Sequence, residues 1–287
     1  MADFRHFAAI DWSGAVGERQ AGIAIALCDT TGAAPRLVQP GHRWSRGEVL
    51  DWLLHDLPPD TLVGLDLGIS LPFADAGAFF PGWDKSPLHA RGLWDMIDDI
   101  CRNDAHLAAA SFVDHPVASR YFRRHGGREG ECFGGGPGRF RVTEAAQAAM
   151  GCKPTSNFNL VGAAQVGKSS LTGMRVLNRL AGQLAIWPFD PPPAYGSVVV
   201  EIYTSLAAIE AERSSGRTKM RSREDLNAAL AALGSPSFRA RASLSDHATD
   251  ALLTAAWLRK AACRKALWQP PALAAVAQTE GWTFGAL

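Results

Sequence analysis

His6-Phe7-Ala8-Ala9-Ile10-Asp11-Trp12 is a short, mostly apolar run whose one acidic residue is Asp11, and Ser13-Gly14 follows it as a turn signal. A run of this length with such a boundary predicts a strand buried on both faces. Working outward, residues 20–29 (QAGIAIALCD) form a second apolar run and residues 36–44 a third, more exposed one, so the three predict an antiparallel meander. From Ser45 or Arg46 the apolar positions Val49, Leu50, Leu53, Leu54 and Leu57 take helical spacing until Pro58-Pro59 stops it. Residues 61–70 (TLVGLDLGIS) then return to a buried strand that carries Asp66. Strands and helices in this order place the chain in the α/β class.

The remainder divides by composition. Residues 71–196 are rich in Gly, Pro and aromatics and predict an insertion with helices over 93–101, 143–150 and 169–184. Residues 197–203 (SVVVEIY) are a β-branched strand with one charge, Glu201. A helix over 225–233 ends at Gly234, and Ser245 caps a last helix that reaches about residue 263. The expected organisation is therefore a core from 1–70 and 197–287, interrupted by 71–196.

With 287 residues, 47% of them hydrophobic and 20% charged, the chain can bury a sizeable core. No run approaches the ~20 apolar residues of a membrane span, and the opening Met-Ala-Asp-Phe-Arg-His lacks the apolar centre of a signal peptide. The expectation is a cytoplasmic protein without a membrane partner. The five cysteines are scattered and show no disulfide or zinc spacing, which fits reduced thiols. A formal net charge of +1 argues against a uniformly basic coat, but nine basic and only three acidic side chains lie between Ser119 and Arg175. A local patch of this kind fits a phosphate-bearing ligand or a solvated loop. Within it Arg120, Arg123 and Arg124, flanking Tyr121 and Phe122, are the candidate nucleic-acid contact. The sequence carries no signal for oligomeric state.

Asp11, Asp66 and Glu201 each stand alone in an apolar strand, and no lysine or arginine lies in those runs. Burying an unpaired carboxylate costs several kcal/mol, so three such strands call for a shared cation. Ligands of open α/β sheets gather beyond the carboxyl ends of the strands, near which each of these acids sits. The last helix adds Asp246 and Asp250, four residues apart on one face.

This order of acids, with Ile10-Asp11, Gly64-Leu65-Asp66, Val200-Glu201-Ile202-Tyr203 and residues 245–252 (SDHATDAL), resembles the RNase H-like superfamily. The closing segment looks like the acidic helix of its Holliday-junction resolvase branch, and the whole chain looks most like domain-of-unknown-function family 429, described as predicted nucleases. The resemblance covers residues 6–70 and 197–262 and leaves the insertion without a template. It implies a mixed five-stranded sheet of order 3-2-1-4-5, the second strand antiparallel to the rest, flanked by helices and with the insertion between strands 4 and 5. It also implies a hydrolase, a nuclease cleaving DNA or RNA with two Mg²⁺ or Mn²⁺ ions about 4 Å apart. Asp11 would bridge the ions, Asp66 and Asp250 would bind one each, and Asp246 or His247 would complete or orient the site. Glu201 lies on the strand where superfamily members differ, so metal, substrate or a structural partner is open to it.

Residues 162–169 (GAAQVGKS) match the phosphate-loop pattern letter for letter, with Lys168 as the phosphate contact. This motif supports an alternative, a P-loop nucleotide-binding protein or ATPase. In the nuclease reading Lys168 and Ser13 would instead hold a substrate phosphate. A non-catalytic nucleic-acid-binding module is the third possibility.

Overall fold

β1 (His6–Asp11) lies near the centre of the sheet because both of its neighbours are apolar enough to bury it: β2 (Ala24–Asp29) runs antiparallel on one side. In this computed structural model, which describes residues 3–162, 166–213, 220, 222–240 and 244–287, the other principal elements follow in chain order. They are β3 (Arg36–Leu37), α1 (Arg46–Asp51), β4 (Thr61–Asp66), α2 (Ala90–Ile100), α3 (Ala110–Val113), β5 (Arg123–Arg124) and β6 (Arg128–Glu129). After these come α4 (Val142–Ala149), α5 (Val166–Leu180), β7 (Ala185–Ile186), β8 (Val198–Glu201), α6 (Thr204–Glu210), α7 (Arg223–Ala232) and α8 (Asp246–Ala261).

Among the described residues one mixed sheet has six strands in the order β3-β2-β1-β4-β8-β7. β1, β4, β8 and β7 are parallel, and β2 is antiparallel to β1 and β3. The sheet is one strand wider than expected, since β7 from the 71–196 segment pairs with β8. The third strand is only two residues long rather than spanning 36–44, and the fourth stops at Asp66. The predicted helix over 46–57 begins in a capping box between Ser45 and Glu48. It ends in a π-helical turn, Trp52–Asp56, ahead of the two prolines. The helix α6 directly after β8 was not foreseen.

Alternation along each strand decides what lies on either side of the sheet. Phe7, Ala9, Leu62, Val198 and Val200 face α8, α7 and α6 in one apolar cluster. Ala8, Ile10, Val63, Leu65 and Val199 face the other way, into a cluster with α1, α2, α5 and the aromatics Phe79, Phe80, Phe112, Phe122 and Phe158. The 71–196 segment therefore supplies most of one layer. Trp94 and Trp187 are buried in these layers. Close packing of α8 onto β4 depends on Gly64, where a Cβ would come within 2.6 Å of Ile202 and 3.0 Å of Leu258. Among the described residues no helix is long and apolar enough to cross a membrane.

Candidate functional site

The pairing of β1 with β4 sets Asp11 directly beside Asp66, the last residue of each strand. In parallel strands paired residues project to the same face, here the α8 face. Helix α8 starts over these strand ends because Ser45's counterpart there, Ser245, caps it by accepting from Ala248 N at 3.1 Å. Its first turns bring Asp246, His247 and Asp250 to the same place. All five side chains line one cleft of about 460 Å³.

The acids repel one another. Burial first, then the charges of Asp11 and Asp250, push Asp66 well above the usual carboxylate range, against a backbone N–H from Thr204. His247 Nδ1 lies 3.0 Å from Asp11 Oδ1. That hydrogen bond raises the imidazole pKa despite partial desolvation, with the charges of Asp11, Asp250 and Asp246 adding to it. A protonated ring here donates to Asp11 and offsets part of the repulsion.

Glu201, expected among the metal ligands, has a different role. It pairs with Leu65 rather than Asp66, so it projects to the opposite face of the sheet. There Arg141 of the insertion meets both its oxygens at 2.6 and 2.8 Å, Ile69 N donates to it at 2.9 Å, and Thr283 Oγ1 also donates. Arg141 holds Glu144 too, at 2.6 Å, and both partners are buried. Burial pulls the guanidinium pKa down, but Glu144 and Glu201 more than reverse this and hold it above its usual range. The cation that neutralises Glu201 is thus an arginine sixty residues upstream.

The loop after β1 forms another part of the cleft. Ser13 lines it, accepting from Ala15 N at 3.2 Å and donating to Gln20 Oε1 at 3.3 Å. Buried Arg46 holds the loop from below through the carbonyls of Ser13, at 3.1 Å, and Ala15. Desolvation, then Arg175, lowers the Arg46 pKa to about 10. Gly14 is needed because a Cβ there would sit 2.4 Å from the backbone of Lys168 and Ser169 at the start of α5. Trp12 Nε1 donates to Thr172 Oγ1 at 3.1 Å and Gly68 N to Ser170 Oγ at 3.1 Å, which docks α5 on the strand ends.

The other expected phosphate contacts lie elsewhere. Arg120 pairs with Glu131, Arg123 approaches Glu129 at 3.9 Å, and Arg124 reaches Asp114 at 3.3 Å. None of the three lines the acidic cleft. Tyr121 and Phe122, which lie between these arginines in sequence, are core residues. Lys168 lies in the first turn of α5, outside the cleft lining. Of the phosphate-loop match, residues 163–165 lie outside the described residues. The stretch before it makes an isolated bridge from Asn159 to Arg123 and no strand of the six-stranded sheet. A P-loop requires such a strand to feed its helix, so the fold does not favour this alternative. Sequence reasoning missed Arg141, Glu144, Lys153, Asn157 and Tyr203 as cleft residues. The i, i+3 spacing of Arg141 and Glu144 at a helix start was the one local signal available.

Asp11, Asp66, Asp246 and Asp250 offer hard carboxylate oxygens of the kind that Mg²⁺ or Mn²⁺ takes. Among the described residues no group of three or more His, Cys, Asp or Glu side chains stands close enough together to hold a metal ion. These carboxylates suit such an ion in donor chemistry and line one cleft, and holding it would require their side chains to close in around it. Compared with protein-family models, with curated proteins and with solved structures, the chain finds no match.

Proposed function

We propose that this protein is a divalent-metal-dependent phosphodiesterase acting on nucleic acid, with an RNase H-like core. The observation that carries the proposal is the register of β1 and β4, which sets Asp11 against Asp66 where α8 brings Asp250. Strand order supports it, since β3-β2-β1-β4-β8, with β2 reversed, has the arrangement that the sequence resemblance implies. When bound, Mg²⁺ or Mn²⁺ would activate a water and stabilise the charge on the leaving oxygen. Asp11, Asp66 and Asp250 would hold the cation, and Asp246 would complete or orient the set. With its ring protonated, His247 would donate from Nδ1 to Asp11 and carry a second proton at Nε2 for a leaving oxygen. Arg141 pairs with both Glu201 and Glu144 behind the reacting groups.

Asp11→Asn keeps the shape and removes the charge. Its Mn²⁺-dependent cleavage of a mixed panel of labelled DNA and RNA should fall about 10²-fold or more, with the near-ultraviolet circular dichroism unchanged. Full activity in this variant, or a wild-type protein that binds nucleic acid and cleaves nothing, would refute the proposal; the latter would point to a binding module.

A further inference from the structure

The cleft that holds the acids is small, and much of its remaining lining comes from the 71–196 segment. Lys153, Thr155 and Asn157, from the stretch after α4, line it together with Val166 and Ser169 of α5. A space of about 460 Å³ suits a ligand of the size of one nucleotide. A B-form duplex, whose major groove alone is ~12 Å wide, is too broad to enter a cleft of this volume, which opens to solvent on one side.

Two side chains in the lining point to what fills it. Asn157 is 1% exposed, and its Nδ2 donates to Ser70 O at 2.8 Å. Among the described residues its Oδ1 is buried and has no hydrogen-bond partner. A buried acceptor of this kind costs about 1–3 kcal/mol unless a donor arrives. The second is Lys153. Of the lysine and arginine side chains in the lining, Arg141 is already committed to Glu144 and Glu201. Lys153 forms no ion pair among the described residues, and its carbonyl accepts from Tyr203 Oη at 3.2 Å. Lys153 is thus the cleft cation open to a phosphate, with the Tyr203 ring beside it as a surface on which a base can stack.

We propose that the cleft admits the free end of a single strand, one nucleotide at a time, with Lys153 on its phosphate and Asn157 Oδ1 accepting from its terminal sugar hydroxyl. This rests on the phosphodiesterase reading and makes it specific. An internal deoxynucleotide has no free sugar hydroxyl to offer Asn157, whereas a terminal one has. Lys153 and Asn157 are substrate-positioning groups on this account, separate from the acids.

The experiment compares a linear single-stranded DNA, the same sequence ligated into a circle, and its blunt duplex, with the intact protein. Binding is read by fluorescence anisotropy in Ca²⁺ and cleavage by gel in Mn²⁺. The linear strand should bind about tenfold or more tightly than the circle or the duplex, and should be shortened stepwise to mononucleotides. Lys153→Ala should raise KM for the linear strand about tenfold with kcat little changed. Equal binding and cutting of the circle, or preference for the duplex, would overturn the strand-end proposal and leave a phosphodiesterase of other specificity. End-selective binding without any cleavage would uphold strand-end recognition while the phosphodiesterase reading fell. An unchanged KM in Lys153→Ala would remove Lys153 from the proposal's contacts and overturn it as stated.

Discussion

In metal-free buffer at neutral pH, Asp66→Asn is expected to melt higher than the wild type, although it removes a residue of the proposed centre. The folded chain holds Asp66 beside Asp11 and Asp250, and burial and their charge raise its pKa above the unfolded value of ~3.9. A carboxyl group with a raised folded pKa favours the folded state below its unfolded pKa, where both states are protonated alike. Stability then falls as pH rises from that value through the folded pKa, because the unfolded chain releases its proton first. At neutral pH the wild type therefore carries a penalty that asparagine relieves, while the asparagine side-chain oxygen still accepts from Thr204 N. A gain of at least about 2 °C is expected, the response of a chain of this size to roughly 1 kcal/mol. The gain should disappear below about pH 4. Millimolar Mn²⁺ should reverse the ranking, because saturation at ~100 times Kd stabilises the wild type by about 2.7 kcal/mol and the variant much less. A lower melting point for metal-free Asp66→Asn at neutral pH would show that the carboxylate is stabilised by partners and not strained by its neighbours. Differential scanning fluorimetry across pH, with and without Mn²⁺, reads all of this.

Arg141→Met should be the most damaging single substitution for stability. It preserves much of the side-chain volume but leaves Glu144 and Glu201 buried without their cation, as well as the Glu280 carbonyl that Arg141 meets at 3.1 Å. Breaking a buried pair from one side costs about 3–5 kcal/mol. Urea unfolding measures this, and a loss below about 1 kcal/mol would contradict the role assigned to Arg141. Adding Glu144→Gln to Arg141→Met should restore part of the loss, since burial already pushes the Glu144 carboxyl up. Strict additivity of the two substitutions would argue against a shared network. The network also explains how the chain end is bound in. Glu280 accepts from Val142 N at 2.6 Å and from Phe73 N and Ala74 N at 2.7 Å, while Phe284 N donates to Glu201 O at 2.8 Å.

Those two side chains also mark the boundary of what the sequence can disclose. Asp11, Asp66 and Asp250 were legible because each interrupts a regular apolar pattern, in strands too short to be anything else and in a helix with a clear serine cap. The apolar runs likewise located β1, β2, β4, β8 and α8 to within a few residues. Glu201 interrupts its run in the same way, yet its direction depends on pairing with Leu65, and a shift of one residue in register would have turned it toward Asp66. Register is a property of two strands, and neither strand states it alone. Arg141 was hidden for a related reason, because it lies in a segment with no regular period, sixty residues from Glu201. Arg120, Arg123 and Arg124 drew attention as a block of charge, although the acids that pair with them, Glu131, Glu129 and Asp114, lie within about a dozen residues. Such local pairing is cheap in chain entropy and turns a basic sequence into a nearly neutral surface. The short β7 and the helix α6 carry too few residues to register as patterns; β8 and the α8 layer hold them in place.

The most direct test of the central claim is anomalous scattering from a crystal grown with Mn²⁺. A peak in the cleft, bonded to carboxylate oxygens of Asp11, Asp66 and Asp250 and absent in Asp66→Asn, is the expected result. A crystal with no peak between these side chains, or with manganese bound only elsewhere on the surface, would contradict it.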